Sequence, residues 1–180
     1  EAYGLDPLPK RGAALNVAFE CTVGLINNDT RQPIALKPFA GNLFKTVAPI
    51  KKGTKFKMEI RNAVECYIYI FTPDVSGSKS IVLFPYKPIH SAYCGITGYR
   101  LFPRKESIQA DEVGNKEIMA VVVSKRELDY NAINTAINSS TQPSFAAKVS
   151  YSASGNGSIY FKSAGDENNI VATIVEMDKQ

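Results

Sequence analysis

Cys66-Tyr67-Ile68-Tyr69-Ile70-Phe71, closing at Pro73-Asp74, and Ile81-Val82-Leu83-Phe84, closing at Pro85, are two β-branched and aromatic runs separated by Val75-Ser76-Gly77-Ser78. Such side chains suit a pleated surface, and the small polar residues between them suit a turn, so the pair predicts an antiparallel hairpin. Further along, Glu117 to Ser124 (Glu-Ile-Met-Ala-Val-Val-Val-Ser) is apolar on both faces, which predicts a central strand covered on both sides. Upstream, Phe56, Met58 and Ile60 point one way while Lys55, Lys57, Glu59 and Arg61 point the other. The first row predicts a core face and the second a solvated one. Earlier still, Leu15, Val17, Phe19 and Cys21 alternate with Asn16, Ala18 and Glu20 as one half-buried strand, and Asn27-Asn28-Asp29 supplies turn residues after it.

Helical signals are few. Ser124-Lys125-Arg126-Glu127 fits a capping box, and Leu128, Ala132, Ile133, Ala136 and Ile137 form an apolar stripe before Pro143, so one helix is expected to start directly after the central strand. Phe145 to Ala153 and Ile159 to Ser163 flank Ser154-Gly155-Asn156-Gly157 and predict a hairpin, with a last strand from Ile170 to Met177. Nine or ten short strands and one helix, without helix–strand alternation, predict an all-β or β-rich α+β fold. The expected architecture is an antiparallel β-sandwich with one short helix. Residues 1–12, with Pro7 and Pro9, read as an extended linker, and residues 13–180 as a single domain.

Composition bounds the chemistry. The chain has 180 residues, 44% hydrophobic and 21% charged, and its net charge of +4 is too small to imply nucleic acid or an anionic membrane. No apolar run approaches the roughly 20 residues of a membrane-spanning helix. The three cysteines, Cys21, Cys66 and Cys94, permit one internal disulfide among three possible pairs, or serve as small core hydrophobes. A thiol enzyme would have to use His90, the single histidine, with Cys94. No Gly-x-Ser-x-Gly elbow, phosphate-cradling glycine loop or close-spaced zinc ligand pair is present in the sequence. Asp166-Glu167-Asn168-Asn169 and Asp111-Glu112 with Gly114-Asn115 read as polar turns rather than calcium loops. The basic residues from Lys45 to Arg61 read as a solvated face. No catalytic residue, cofactor or metal is therefore assigned.

The segment from 85 to 104 is long for a connection and rich in aromatic residues, which predicts a packed excursion. Tyr86, His90, Tyr93, Tyr99 and Phe102 make up the binding surface expected there. Its ligand is expected to be another protein or a domain of the parent chain, with a carbohydrate or cell-envelope polymer as the alternative and a Cys94/His90 enzyme as a second alternative.

Lys52-Gly53-Thr54-Lys55-Phe56, Cys66 to Phe71, Leu83-Phe84-Pro85, Tyr99-Arg100-Leu101-Phe102-Pro103, Gly114-Asn115-Lys116-Glu117-Ile118 and Val121-Val122-Val123-Ser124 occur in an order that resembles a bacterial family of all-β domains of unknown function. Members of that family occur in exported or multidomain proteins, often attached to caspase-like peptidase or protein-kinase modules. The segment from His90 to Gly98 resembles a subgroup elaboration of Bacteroidetes type. The resemblance spans about residues 52–124 and supplies no catalytic residues. It implies a non-catalytic accessory or recognition module. Together with a start that lacks Met and is rich in proline, it favours an exported protein of the periplasm, cell surface or medium.

Overall fold

The computed structural model describes residues 15–18, 21–40, 43–62, 65–85, 91–95, 98–103, 106–153 and 170–180. In chain order its first strands are β1 (Leu15–Ala18), β2 (Cys21–Asn27), β3 (Pro33–Ile34), β4 (Leu36–Ala40), β5 (Leu43–Thr46) and β6 (Lys55–Asn62). Then follow β7 (Cys66–Pro73), β8 (Ser80–Phe84), β9 (Tyr93–Cys94), β10 (Gly98–Phe102), β11 (Ile108–Gln109) and β12 (Lys116–Ser124). Two helices, α1 (Tyr130–Ser139) and α2 (Phe145–Ala153), precede the last strand, β13 (Ile170–Asp178).

The strands form two sheets. One runs β1-β2-β6-β10, with β3 also paired to β2 and β11 to β6; the other runs β4-β5-β13-β12-β7-β8, with β9 also paired to β7. Among the described residues, all the strand pairs are antiparallel except β5 with β13, where Leu43 meets Ile174 in parallel. Alternation decides what each face buries. Val23, Leu25, Phe56, Met58 and Ile60 of the first sheet pack against Ile68, Ile70, Met119, Val121 and Val175 of the second in one dry cluster. Tyr69, Phe71, Ala120, Val122 and Ile174 leave the opposite face of the second sheet and pack beneath Leu128, Ile133, Ile137 and Val149. The fold is thus a β-sandwich with a helical layer on one sheet, and β12 is buried on both faces as its apolar run predicts.

The hairpin of β7 and β8 forms as expected, with Phe71 opposite Val82 and Pro73 opposite Ser80. Four local expectations are corrected. The alternating run from Leu15 is not one strand: Leu15 pairs with Val23 and Ala18 with Cys21, so the chain reverses within it. A period of two is the same on both arms of a reversal and does not mark the turn. The charged row of β6 is solvated only at Lys55: Lys57 and Glu59 are buried and Arg61 is half-buried. Lys57 Nζ donates to the Pro103 carbonyl at 2.9 Å, and Arg61 lies 3.7 Å from Glu59.

The helix begins at Tyr130 rather than after Ser124. Asp129 is its N-cap, accepting from the Ala132 N–H at 3.1 Å, while Ser124 Oγ makes a local turn with the Arg126 N–H and carbonyl. Leu128 stays outside the helix, its N–H donating to the buried Tyr69 hydroxyl at 2.7 Å instead of to a carbonyl one turn back. Lastly, Phe145–Ala153 is a helix, not a strand. Ser144 accepts from the Ala147 N–H at 3.1 Å, and Val149 and Ser152, one helical turn apart, are both buried. Its proposed hairpin partner, 159–163, lies outside the described residues.

Candidate functional site

Residues 85 to 104 carry the chain from one sheet to the other. β9 pairs with β7 in the helix-bearing sheet, whereas β10 pairs with β6 across the sandwich. β9 is only two residues long, and its register places Cys94 opposite Cys66 and Tyr93 opposite Tyr67. Direct partners in an antiparallel pair project to the same face. The cysteines therefore enter the core, while the tyrosines lie on the side that carries the helices.

Tyr93 is 41% exposed. Its ring lies 5.5 Å from that of Tyr67 at 59°, and its hydroxyl donates to Glu65 Oε2 at 2.8 Å. That hydrogen bond to a carboxylate is the chief reason the phenol is held above its ordinary pKa, with desolvation adding to it. The backbone beneath is tied down at several points. Ile68 N–H donates to the Ala92 carbonyl at 2.9 Å, Tyr93 N–H to Ser91 Oγ at 3.1 Å, and the buried Asn62 side chain of β6 to the Gly95 carbonyl. Arg100 of β10 donates to the Ser91 carbonyl at 2.9 Å and lies 5.2 Å from the centre of the Phe84 ring. The result is an exposed aromatic ledge with a fixed orientation, edged by Glu65 and Ser91.

Of the surface expected from the sequence, Tyr93 is on this ledge. Phe102 is not: it is 5% exposed and packs edge-on against Phe84 at 4.6 Å, so it belongs to the core. Its partner in the register is Met58, a core-facing residue, and this sets the side to which Phe102 points. The Tyr99 backbone pairs with Arg61 in β10, but its side chain lies outside the described residues, as do Tyr86 and His90. Sequence reasoning missed Glu65, Tyr67, Ser91 and Arg100. Tyr67 had a signal, since parity along β7 sets it opposite to Cys66; the others are recruited only by the folded register.

The thiols beneath the ledge are all free and buried. Contact with Cys66, followed by burial, raises the Cys94 pKa far above the thiol range. Cys66 is pushed up to about 12, with contact to Cys21 the largest cause and burial adding to it. A cysteine nucleophile needs the opposite, a stabilised thiolate.

A cleft of about 370 Å³ lies between the β7–β8 turn and the loop before β12. Its carboxylates are already engaged. Asp74 accepts from Ser76 Oγ at 2.7 Å, and Asp111 accepts from Lys179 Nζ at 2.8 Å and from the Val113 N–H at 2.9 Å. These donors, Ser76 first for Asp74 and Lys179 first for Asp111, hold both below the ordinary carboxylate range. Among the described residues, no group of three or more His, Cys, Asp or Glu side chains is placed to hold a metal ion, and no helix is long and apolar enough to cross a membrane. The acidic turn at 166–169 lies outside the described residues.

No family model, curated protein or solved structure matches the chain. The likeness drawn from the segments between Lys52 and Ser124 gains no support from these comparisons.

Proposed function

We propose that this domain is a non-catalytic recognition module that binds another protein, or another domain of its parent chain, through the Tyr93 ledge. The observation that carries the reading is the exposed Tyr93 ring, oriented by Tyr67 and Glu65 on a strand that is itself tethered to both sheets. Tyrosine offers a large amphipathic contact area, and a side chain already held in one orientation loses little entropy when a partner covers it. The resemblance to accessory domains of bacterial exported and multidomain proteins supports the same reading.

The test is site-specific photo-cross-linking from position 93 in the native host, compared with Tyr93→Ala in a capture experiment at equal folded concentration. A discrete cross-linked protein, and at least a tenfold loss of its capture by the variant at an unchanged melting temperature, is the expected result. Capture that is indifferent to Tyr93→Ala removes the ledge from the interface. Saturable retention on a cell-wall polysaccharide that is lost with Tyr93→Ala, in the absence of a protein adduct, replaces the protein partner with a glycan.

A further inference from the structure

The three cysteines, far apart in sequence, meet at one end of the sandwich. Cys66 and Cys94 are register partners on β7 and β9. Cys21, the first residue of β2, lies opposite Asn62 of β6, and the Asn62 side chain donates to the carbonyl of Gly95, next to Cys94. All three side chains belong to the same dry core cluster, with exposures of 0% for Cys21 and Cys66 and 5% for Cys94. Cys66 is in contact with each of the other two thiols.

We propose that this end of the fold is a disulfide site in which Cys66 bonds to Cys94 across β7 and β9, with Cys21 placed to take Cys66 in its stead. The Ile68 N–H to Ala92 carbonyl bond makes that pair a hydrogen-bonded one, and two residues along Cys66 and Cys94 occupy the equivalent position. Cα atoms in such pairs are about 5.5 Å apart, within the roughly 4.4 to 6.8 Å that a disulfide spans, and the two-residue β9 has to close on β7 to bring the Cβ atoms from about 5.5 Å to the roughly 3.5 to 4.5 Å of the bond. Cys94 is the entry point. It is the most exposed of the three, and its strand has two residues, so local opening of β9 exposes it without unfolding the sandwich.

Oxidised glutathione serves as the oxidant. Once β9 opens and water reaches it, Cys94 ionises, and its thiolate attacks one glutathione sulfur, forming a mixed disulfide and expelling one glutathione thiolate. The Cys66 thiolate then attacks the Cys94 sulfur, forming the internal bond and expelling the second. Both thiol protons pass to the departing thiolates, so two protein thiols are oxidised by two electrons and one glutathione disulfide is reduced to two glutathiones. Attack of Cys21 on the Cys66 sulfur moves the bond to Cys21–Cys66 and returns a thiol at Cys94, with no further oxidant. The site does not depend on what the Tyr93 ledge binds.

The experiment is unreduced intact mass and peptide mapping of the folded protein after incubation with excess oxidised glutathione, with circular dichroism recorded throughout. Loss of two hydrogen atoms and a Cys66–Cys94 peptide, reversed by dithiothreitol, is the expected result for the wild type and for Cys21→Ala. Cys94→Ala, which lacks the entry thiol, and Cys66→Ala, which lacks the shared partner, should each yield no internal bond. Three free thiols in the folded wild type, a Cys21–Cys94 bond, or oxidation that appears only once the protein is unfolded in urea would each overturn the assignment. The wild-type result stands whether or not the variants fold.

Discussion

Lys179 ends in a cage. Its side chain is fully buried, and its ammonium donates to Asp111 Oδ1 and Glu117 Oε2 at 2.8 Å each, to the Val113 carbonyl at 2.7 Å and to the Asp111 carbonyl at 3.1 Å. Burial works against the charge, but the hydrogen bonds that Lys179 donates to Asp111 and Glu117 outweigh it and raise the Lys179 pKa, while Lys179 lowers that of Asp111. The signs give a pH window. The contribution of Asp111 is present above its unfolded pKa and is lost as pH falls through its depressed folded value. That of Lys179 is present below its unfolded pKa and is lost as pH rises through its elevated folded value. Urea midpoints measured against pH should therefore show a plateau through neutrality with a fall at each end. Lys179→Met should lower the plateau by about 3 kcal/mol, the low end for a broken buried pair because Asp111 is 38% exposed and screened by water. A midpoint insensitive to Lys179→Met would show that the cage contributes nothing. At this scale the sequence was partly legible. An aspartate before a Gly-Asn turn is visible, but a lysine reaching it from near the far end of the chain is not, since only the fold brings the two together. The same limit explains Phe102, whose side is set by its pairing with Met58 rather than by its neighbours in sequence.

The helices show why element boundaries are harder to read than element types. Ser124-Lys125-Arg126-Glu127 has the residues of a capping box, yet Asp129 holds the position, because the Tyr69 hydroxyl claims the Leu128 N–H first. Asp129→Ala should cost about 1 kcal/mol in chemical denaturation, as expected for removal of a helix cap. Glu127→Ala, in the position that a capping box would require, should change stability by less than about 0.5 kcal/mol, as an exposed substitution does. Equal losses in the two variants would restore the earlier start. In Phe145–Ala153 the competition was between periods. Phe145, Ala147 and Val149 read as alternation, but Phe145 and Val149 are equally one helical turn apart, and Ser144 with the second sheet beyond settles the choice. The β7–β8 hairpin and β12 were legible because each has a single reading. One has a turn between two strand-forming runs, and the other is apolar on every face.

Across the whole molecule, two cores share one sheet. Val121 and Val123 of β12 face the other sheet, and Ala120 and Val122 face the helices. Amide exchange should be slowest in β12, β7 and the middle of β13, where both cores and both neighbouring strands protect the backbone, and faster in β9. Exchange in β9 as slow as in β12 would mean that the ledge cannot open without the whole domain. Sandwich class was legible from alternation and turns, since these are local, but the nine or ten strands read from them fell short of the thirteen described. The division of strands between the sheets was not legible, because residues 85 to 104 change sheet without any marking in the sequence. Nor was the position of the final strand, which sits between β5 and β12. That position has a consequence for synthesis. A ribosome delivers β5 early and β13 late, yet β4 and β5 join the sheet only through β13, where Leu43 meets Ile174. Until the last strand emerges, the nascent chain holds a sheet with a gap in its middle and an apolar edge on β12 open to whatever strand is nearest. Completion of this fold therefore waits for β13, and the interval before it pairs is when the chain is most open to wrong strand pairing.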